Sequence, residues 1–185
     1  LFLLVIERSE ITINNGIFVK TIQKIKETFI NRNDGVISVF VFDSQLHVPL
    51  TFYKNKQNFK ILSICDIEDE NTTLPEAKFL FFDVKTEKKI LIEYLDFLIS
   101  STSTDLSQIN SFNLLKMYDL VKVLNSFCRD FKIPISIIAS RCPIGTIIQY
   151  QNLALEIIRS STSFKFFCIN PSNETARSND FTALS

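Results

Sequence analysis

A chain of 185 residues fits one domain, or one domain with part of a second, and is long enough to bury a real core. With 46% apolar and 22% charged residues it is not a disordered chain. Its 20 basic and 20 acidic side chains cancel, so no global field draws it to nucleic acid or to an anionic membrane, and any such contact needs a local patch.

Residues 1–6 are a continuous apolar run, the pattern of a strand buried on both faces. The run is too short to span a membrane and lacks the basic flank and cleavage pattern of a signal peptide. The chain opens on Leu1 and not on Met, as expected of a piece of a longer protein. Next come Glu7, Arg8, Ser9, Glu10 and Ile11, at the place where some α/β domains present D-x-S-x-S to a divalent cation. Glu7 replaces the first Asp and Ile11 the second Ser, so Glu7 and Ser9 read as positions of a degenerate cation site without a metal.

From Gly16 the period changes. Phe18, Ile22, Ile25 and Phe29 fall at i, i+4, i+7 and i+11, with Lys20, Lys24, Lys26 and Glu27 on other faces, which predicts an amphipathic helix ending in the turn cluster 31–35. Residues 36–42 are again apolar and β-branched and predict a second buried strand. After the Asp43-Ser44 turn, residues 46–52 predict a third strand, with Pro49 marking an edge or a bulge. His47, the one histidine, lies on this hairpin near Ser44 and Cys65; a nucleophile–base pair is conceivable there, but an ordinary strand histidine is the simpler reading.

Residues 59–65 predict a fourth strand. Asp66, Glu68, Asp69 and Glu70 follow it as an acidic run, either a solvated loop or a docking loop for a basic partner. Residues 79–82 read as a short extended piece, 85–99 as a helix, 100–107 as a Ser/Thr-rich loop and 112–129 as a further helix. Strand 133–139, helix 149–159 and strand 164–169 complete the pattern, and 171–185 begin a possible helix. Strands alternating with helices imply crossovers, and so an α/β fold of three layers: a mainly parallel sheet, helices on both faces, and an antiparallel hairpin at the edge.

Ligands in such sheets sit beyond the carboxyl ends of the strands, yet none of those loops carries a phosphate-binding glycine pattern. Cys65, Cys128, Cys142 and Cys168 are too widely spaced for a zinc site, and Cys65 and Cys168 end apolar runs where buried free thiols are common. The matches to the glycosylation pattern at Asn71 and Asn173 are expected by chance in an Asn-rich chain.

Several segments, in order, resemble the von Willebrand A-like trunk domain of the cargo-adaptor subunit of the COPII vesicle coat, the Sec-twenty-four family. Residues 37–47 (I-S-V-F-V-F-D-S-Q-L-H) are similar to that family's aromatic-rich strand followed by F-D-S, two residues and His. Residues 61–69 (I-L-S-I-C-D-I-E-D), then Leu74 and Pro75, resemble its M-L-V-V-S-D-hydrophobic-D-D run with a following L-P. Further on, 143–145 (P-I-G) is similar to P-S-L-G and 150–155 (Y-Q-N-L-A-L) to F-Y-K-K-L-A-L. The acidic loop carries about two extra residues, and the family's Gly-rich turn after Ser100 is missing.

The resemblance implies a von Willebrand A-like trunk whose metal site has degenerated, a single domain over 1–185, and no enzymatic activity. It implies no cofactor in this domain, the family's zinc ribbon lying elsewhere. The implied partners are the sister inner-coat subunit, membrane cargo, and the cytosolic face of the endoplasmic reticulum through the assembled coat, with no nucleic acid. The implied location is the cytoplasm, at endoplasmic-reticulum exit sites and on vesicle membranes. Asp66, Glu68, Asp69, Leu74 and Pro75 are the candidate partner-interface residues. The related trunk of the GTPase-activating sister subunit and a metal-dependent A domain are the alternatives, and the D-I-E-D run favours the adaptor.

Overall fold

The computed structural model describes residues 1–51, 59–67, 72–103, 117–129, 132–140 and 147–168. Along the chain run β1 (Phe2–Glu7), α1 (Glu10–Asn14), α2 (Ile17–Ile30), β2 (Val36–Phe42), β3 (Leu46–Leu50) and β4 (Lys60–Ile64). They are followed by β5 (Phe82–Asp83), α3 (Val84–Ser100), α4 (Met117–Arg129), β6 (Ile135–Ala139), α5 (Ile147–Ser160) and β7 (Phe164–Cys168).

The strands form one seven-stranded sheet in the order β4-β3-β2-β1-β6-β7, with β5 also on β2. The pairings β2–β1, β1–β6 and β6–β7 are parallel; β3 joins β2 and β4 in antiparallel fashion. Because side chains alternate along a strand, β1 feeds two cores. Leu3 and Val5 pack with Leu120, Leu124 and Ile157 from α4 and α5. Leu4 and Ile6 pack on the other face with Phe18, Ile22, Leu91 and Leu95 from α2 and α3. The three layers expected of an α/β fold are therefore present, with a von Willebrand A-like arrangement of a mostly parallel sheet. Continuous apolar runs mark the strands covered on both faces, as parallel strands require.

Local chemistry sets the helix ends. Gly16 adopts φ 66°, a left-handed turn that a side chain would strain, and this turns the chain from α1 into α2. Asp83 caps α3 by accepting from the Lys85 N–H at 2.9 Å, while Glu87 Oε2 accepts from the Asp83 N–H at 2.9 Å. The buried Tyr94 of α3 donates to the Val39 carbonyl at 2.6 Å, tying this helix to β2.

Several expectations change. The hairpin β2–β3 is not the margin of the sheet: β4 lies outside it, half-exposed. β3 pairs with β2 only at Leu46 and His47, so Pro49, which has no N–H to offer, has β4 alone beside it. The piece at 79–82 is split, a 3-10 turn at Ala77–Phe79 preceding β5, and a second 3-10 turn at Ser101–Ser103 follows α3. Cys65 is exposed and not buried, because it follows this marginal strand. The possible helix at 171–185 lies outside the described residues.

Candidate functional site: the carboxyl rim of the sheet

The parallel strands β1, β2 and β6 all end at one rim, where the chain places Glu7 and Arg8, Asp43, and Ser140. Glu7 is 1% exposed. Its Oε2 accepts from the Ser140 backbone N–H at 2.8 Å and its Oε1 from the Ser140 hydroxyl at 2.5 Å. A buried carboxylate needs such donors to offset its lost hydration, and here one residue supplies two of them.

Ser9 is fully buried and works as a helix cap. Its Oγ accepts from the Thr12 N–H at 3.3 Å, and its own N–H donates to Thr12 Oγ1 at 2.9 Å, a reciprocal capping box that starts α1. Thr12 also donates to the Glu7 carbonyl at 3.1 Å. The short helix α1, absent from the periodicity reading, is nucleated in this way.

Asp43 accepts from Arg8 Nε at 2.9 Å on Oδ2, with the Arg8 terminal nitrogen on the same oxygen. Its Oδ1 meets His47 Nε2 at 3.0 Å and the Gln45 N–H at 3.0 Å. Burial alone would raise this carboxyl, but the hydrogen bonds and positive charges of His47 and Arg8 outweigh it and bring the pKa down to about 2. On the far side of the ring, His47 Nδ1 lies 2.8 Å from Ser63 Oγ, its cross-strand neighbour in the β3–β4 register.

These partners do not fit a divalent cation, which needs carboxylate and hydroxyl oxygens free to converge on one point. Both Glu7 oxygens are taken by Ser140, the Ser9 hydroxyl caps α1, and a guanidinium holds Asp43. Among the described residues no three His, Cys, Asp or Glu side chains gather closely enough to hold a metal.

His47 thus converges with a hydroxyl. The hydroxyl belongs to Ser63, whereas the sequence had pointed to Ser44 and Cys65 as neighbours. Arg8, Ser63 and Ser140 were the residues that sequence reading missed. Only the strand register could have found Ser63, as the residue facing His47.

The acidic segment leaves the same rim. Asp66 is exposed, Ile67 is buried, and the Thr72 hydroxyl donates to the Asp66 carbonyl. Leu74 is half-buried against the α4/α5 core, and Pro75 is half-buried beside it. Glu68 and Asp69 lie outside the described residues.

No family model and no curated protein sequence matches the chain. Among solved structures, the human COPII-coat protein Sec24c superposes on it with a TM-score of 0.71, at 11% sequence identity. The match covers 99% of this chain and 28% of that one, so the chain spans less than a third of the coat protein's length. At this identity the likeness concerns the fold. Among the described residues no helix is long and apolar enough to cross a membrane.

Proposed function

We propose that the chain is the trunk domain of a COPII cargo adaptor, a non-enzymatic piece that pairs with the sister inner-coat subunit and supports cargo selection between endoplasmic reticulum and Golgi. The observation that carries this reading is the fold likeness to Sec24c over 99% of the chain. The F-D-S-x-x-H and I-L-S-I-C-D-I-E-D segments, found in the order the adaptor family has them, support it, and the D-I-E-D run favours the adaptor over the sister subunit's own trunk. In this reading the rim is a stiff platform: Glu7 and Asp43 use their carboxylates to hold strand ends together, and Ser9 caps α1. Order before binding lowers the entropic cost of association.

The partner-facing part is the loop from Asp66 through Asp69 to Leu74 and Pro75. Leu74 is anchored against the core and Asp66 stands in solvent. The test is binding of the chain to the purified sister subunit, followed by stopped-flow association of the Asp66→Lys, Asp69→Lys double variant. A slower, less salt-sensitive on-rate is expected. No association at all removes the coat reading, and an unchanged on-rate removes this loop from the interface.

One observation favours a second reading. Ser63, His47 and Asp43 form a hydroxyl–imidazole–carboxylate relay of the kind used in acyl transfer. Against it, Ser63 stands on an extended strand and not on an elbow where backbone N–H groups converge on an oxyanion, and Arg8 competes for the carboxylate. Hydrolysis of an activated ester that disappears in Ser63→Ala would establish the relay; an equal rate in the variant would dismiss it.

A further inference from the structure

The sheet has an open margin at β4. Among the described residues no strand lies on its outer side, so its outward N–H and C=O groups have no ladder to join there. Solvent-facing margins are ordinarily blunted by a proline, a bulge or a charge, yet between Lys60 and Asp66 the chain reads I-L-S-I-C, with neither proline nor charge.

The margin is apolar on both faces. Ile61 packs with the core on the α2/α3 side, and Leu62 and Ile64 pack with the core on the α4/α5 side, but all three are only half-buried. On the α2/α3 side Phe59 also meets Phe97 edge-on at 5.8 Å, and Phe97 is 45% exposed. A strand added outside β4 would finish the burial that β3 and the helices begin.

We propose that this margin pairs with the same margin of a second copy of the chain, the two β4 strands running antiparallel about a two-fold axis at Ser63. The segment is complementary to itself in that register. Ile61 falls opposite Cys65 of the second copy and Leu62 opposite Ile64, so apolar groups meet on both faces. Lys60 falls opposite Asp66 of the second copy, and both side chains are exposed. Lys60 has a contact in its own chain as well, and an ammonium with three donors can serve a second acceptor. Moving the axis by one residue either way sets Lys60 against Ile64 or Asp66 against Leu62, so the charges select one register. A single strand pairing covers less than the roughly 800 Å² per partner of a standard interface, so the dimer is weak, with a dissociation constant on the order of 100 µM. The inference goes beyond the coat reading and does not rest on it.

The test is sedimentation velocity of the chain alone, without any coat subunit, from about 5 to about 500 µM, a range that brackets so weak a dimer. The variants are Lys60→Asp, Asp66→Lys and the two together, all at exposed positions, with circular dichroism to verify their fold. The native chain is expected to pass from monomer to dimer and no further, since a two-fold pairing closes on itself. Each single variant should dimerise at least about tenfold more weakly, because the axis repeats every like-charge contact twice, and the double variant should return to within about threefold of the native chain. A monomer throughout the range, growth beyond the dimer, single variants that associate as well as the native chain, or a double variant no better than the singles would each overturn the proposal. None of these results bears on binding to the sister subunit, which is measured separately.

Discussion

Asp43 and His47 face each other across the β2–β3 turn, Oδ1 to Nε2 at 3.0 Å, while Arg8 grips the other oxygen of the same carboxylate from the end of β1. One buried acid thus fastens two neighbouring connections of the sheet. The F-D-S-x-x-H spacing places its Asp and His four residues apart, the separation that lets the tight turn at Ser44 and Gln45 bring them together.

This fastening predicts an acid-labile share of stability. Asp43 titrates at about 2 in the folded protein and near 3.9 when unfolded, so the unfolded chain binds the proton more readily. The stabilisation is complete above about pH 4 and is lost as pH falls through about 2, roughly 2 kcal/mol in all. Urea midpoints measured across that window should drop less in Asp43→Asn than in the native chain; parallel curves would contradict the assignment.

Glu7 should be a stability residue. Glu7→Ala leaves the Ser140 N–H and hydroxyl without their acceptor in a buried site and should cost about 2–4 kcal/mol, with Glu7→Gln milder because one acceptor remains. Chemical denaturation reads both.

Magnesium should leave the melting temperature unchanged, since a ligand stabilises only when it binds the folded state. Glu7, Ser9 and Asp43 already have protein partners. A concentration-dependent rise in melting temperature would show that these contacts open to admit a cation.

The two thiols described by the structure should part company in labelling. Cys65 is exposed and should react with a disulfide reagent in the native protein. Cys128 is fully buried in α4, where burial pushes its pKa up to about 12, and should react only on unfolding. Equal rates at the two positions would mean that α4 opens readily.

Tyr94→Phe removes the hydroxyl that donates to the Val39 carbonyl and should cost about 1 kcal/mol, the net value of one buried hydrogen bond. The same burial pushes the Tyr94 hydroxyl upward, so its ionisation in an alkaline titration should coincide with unfolding.

Much of the architecture was legible locally. The Phe18, Ile22, Ile25, Phe29 spacing foretold α2, and the apolar run at 36–42 coincides with β2 (Val36–Phe42). Helix α1 was not legible by period because five residues are too few to show one; its signal was the Ser9–Thr12 capping pair. The exposure of Cys65 was misread because an apolar run does not reveal whether a strand is central or marginal. In the candidate site, Glu7, Ser9 and Asp66 stood out by residue type and position, whereas Arg8, Ser63 and Ser140 did not.

What the sequence by itself determined is the succession of strands and helices and the α/β class, because the 2.0 and 3.6 periods are properties of neighbouring residues. Only the tertiary structure decided which polar side chains meet. Arg8 reaches Asp43 across 35 positions and Glu7 reaches Ser140 across 133, and such pairings are set by strand order and register.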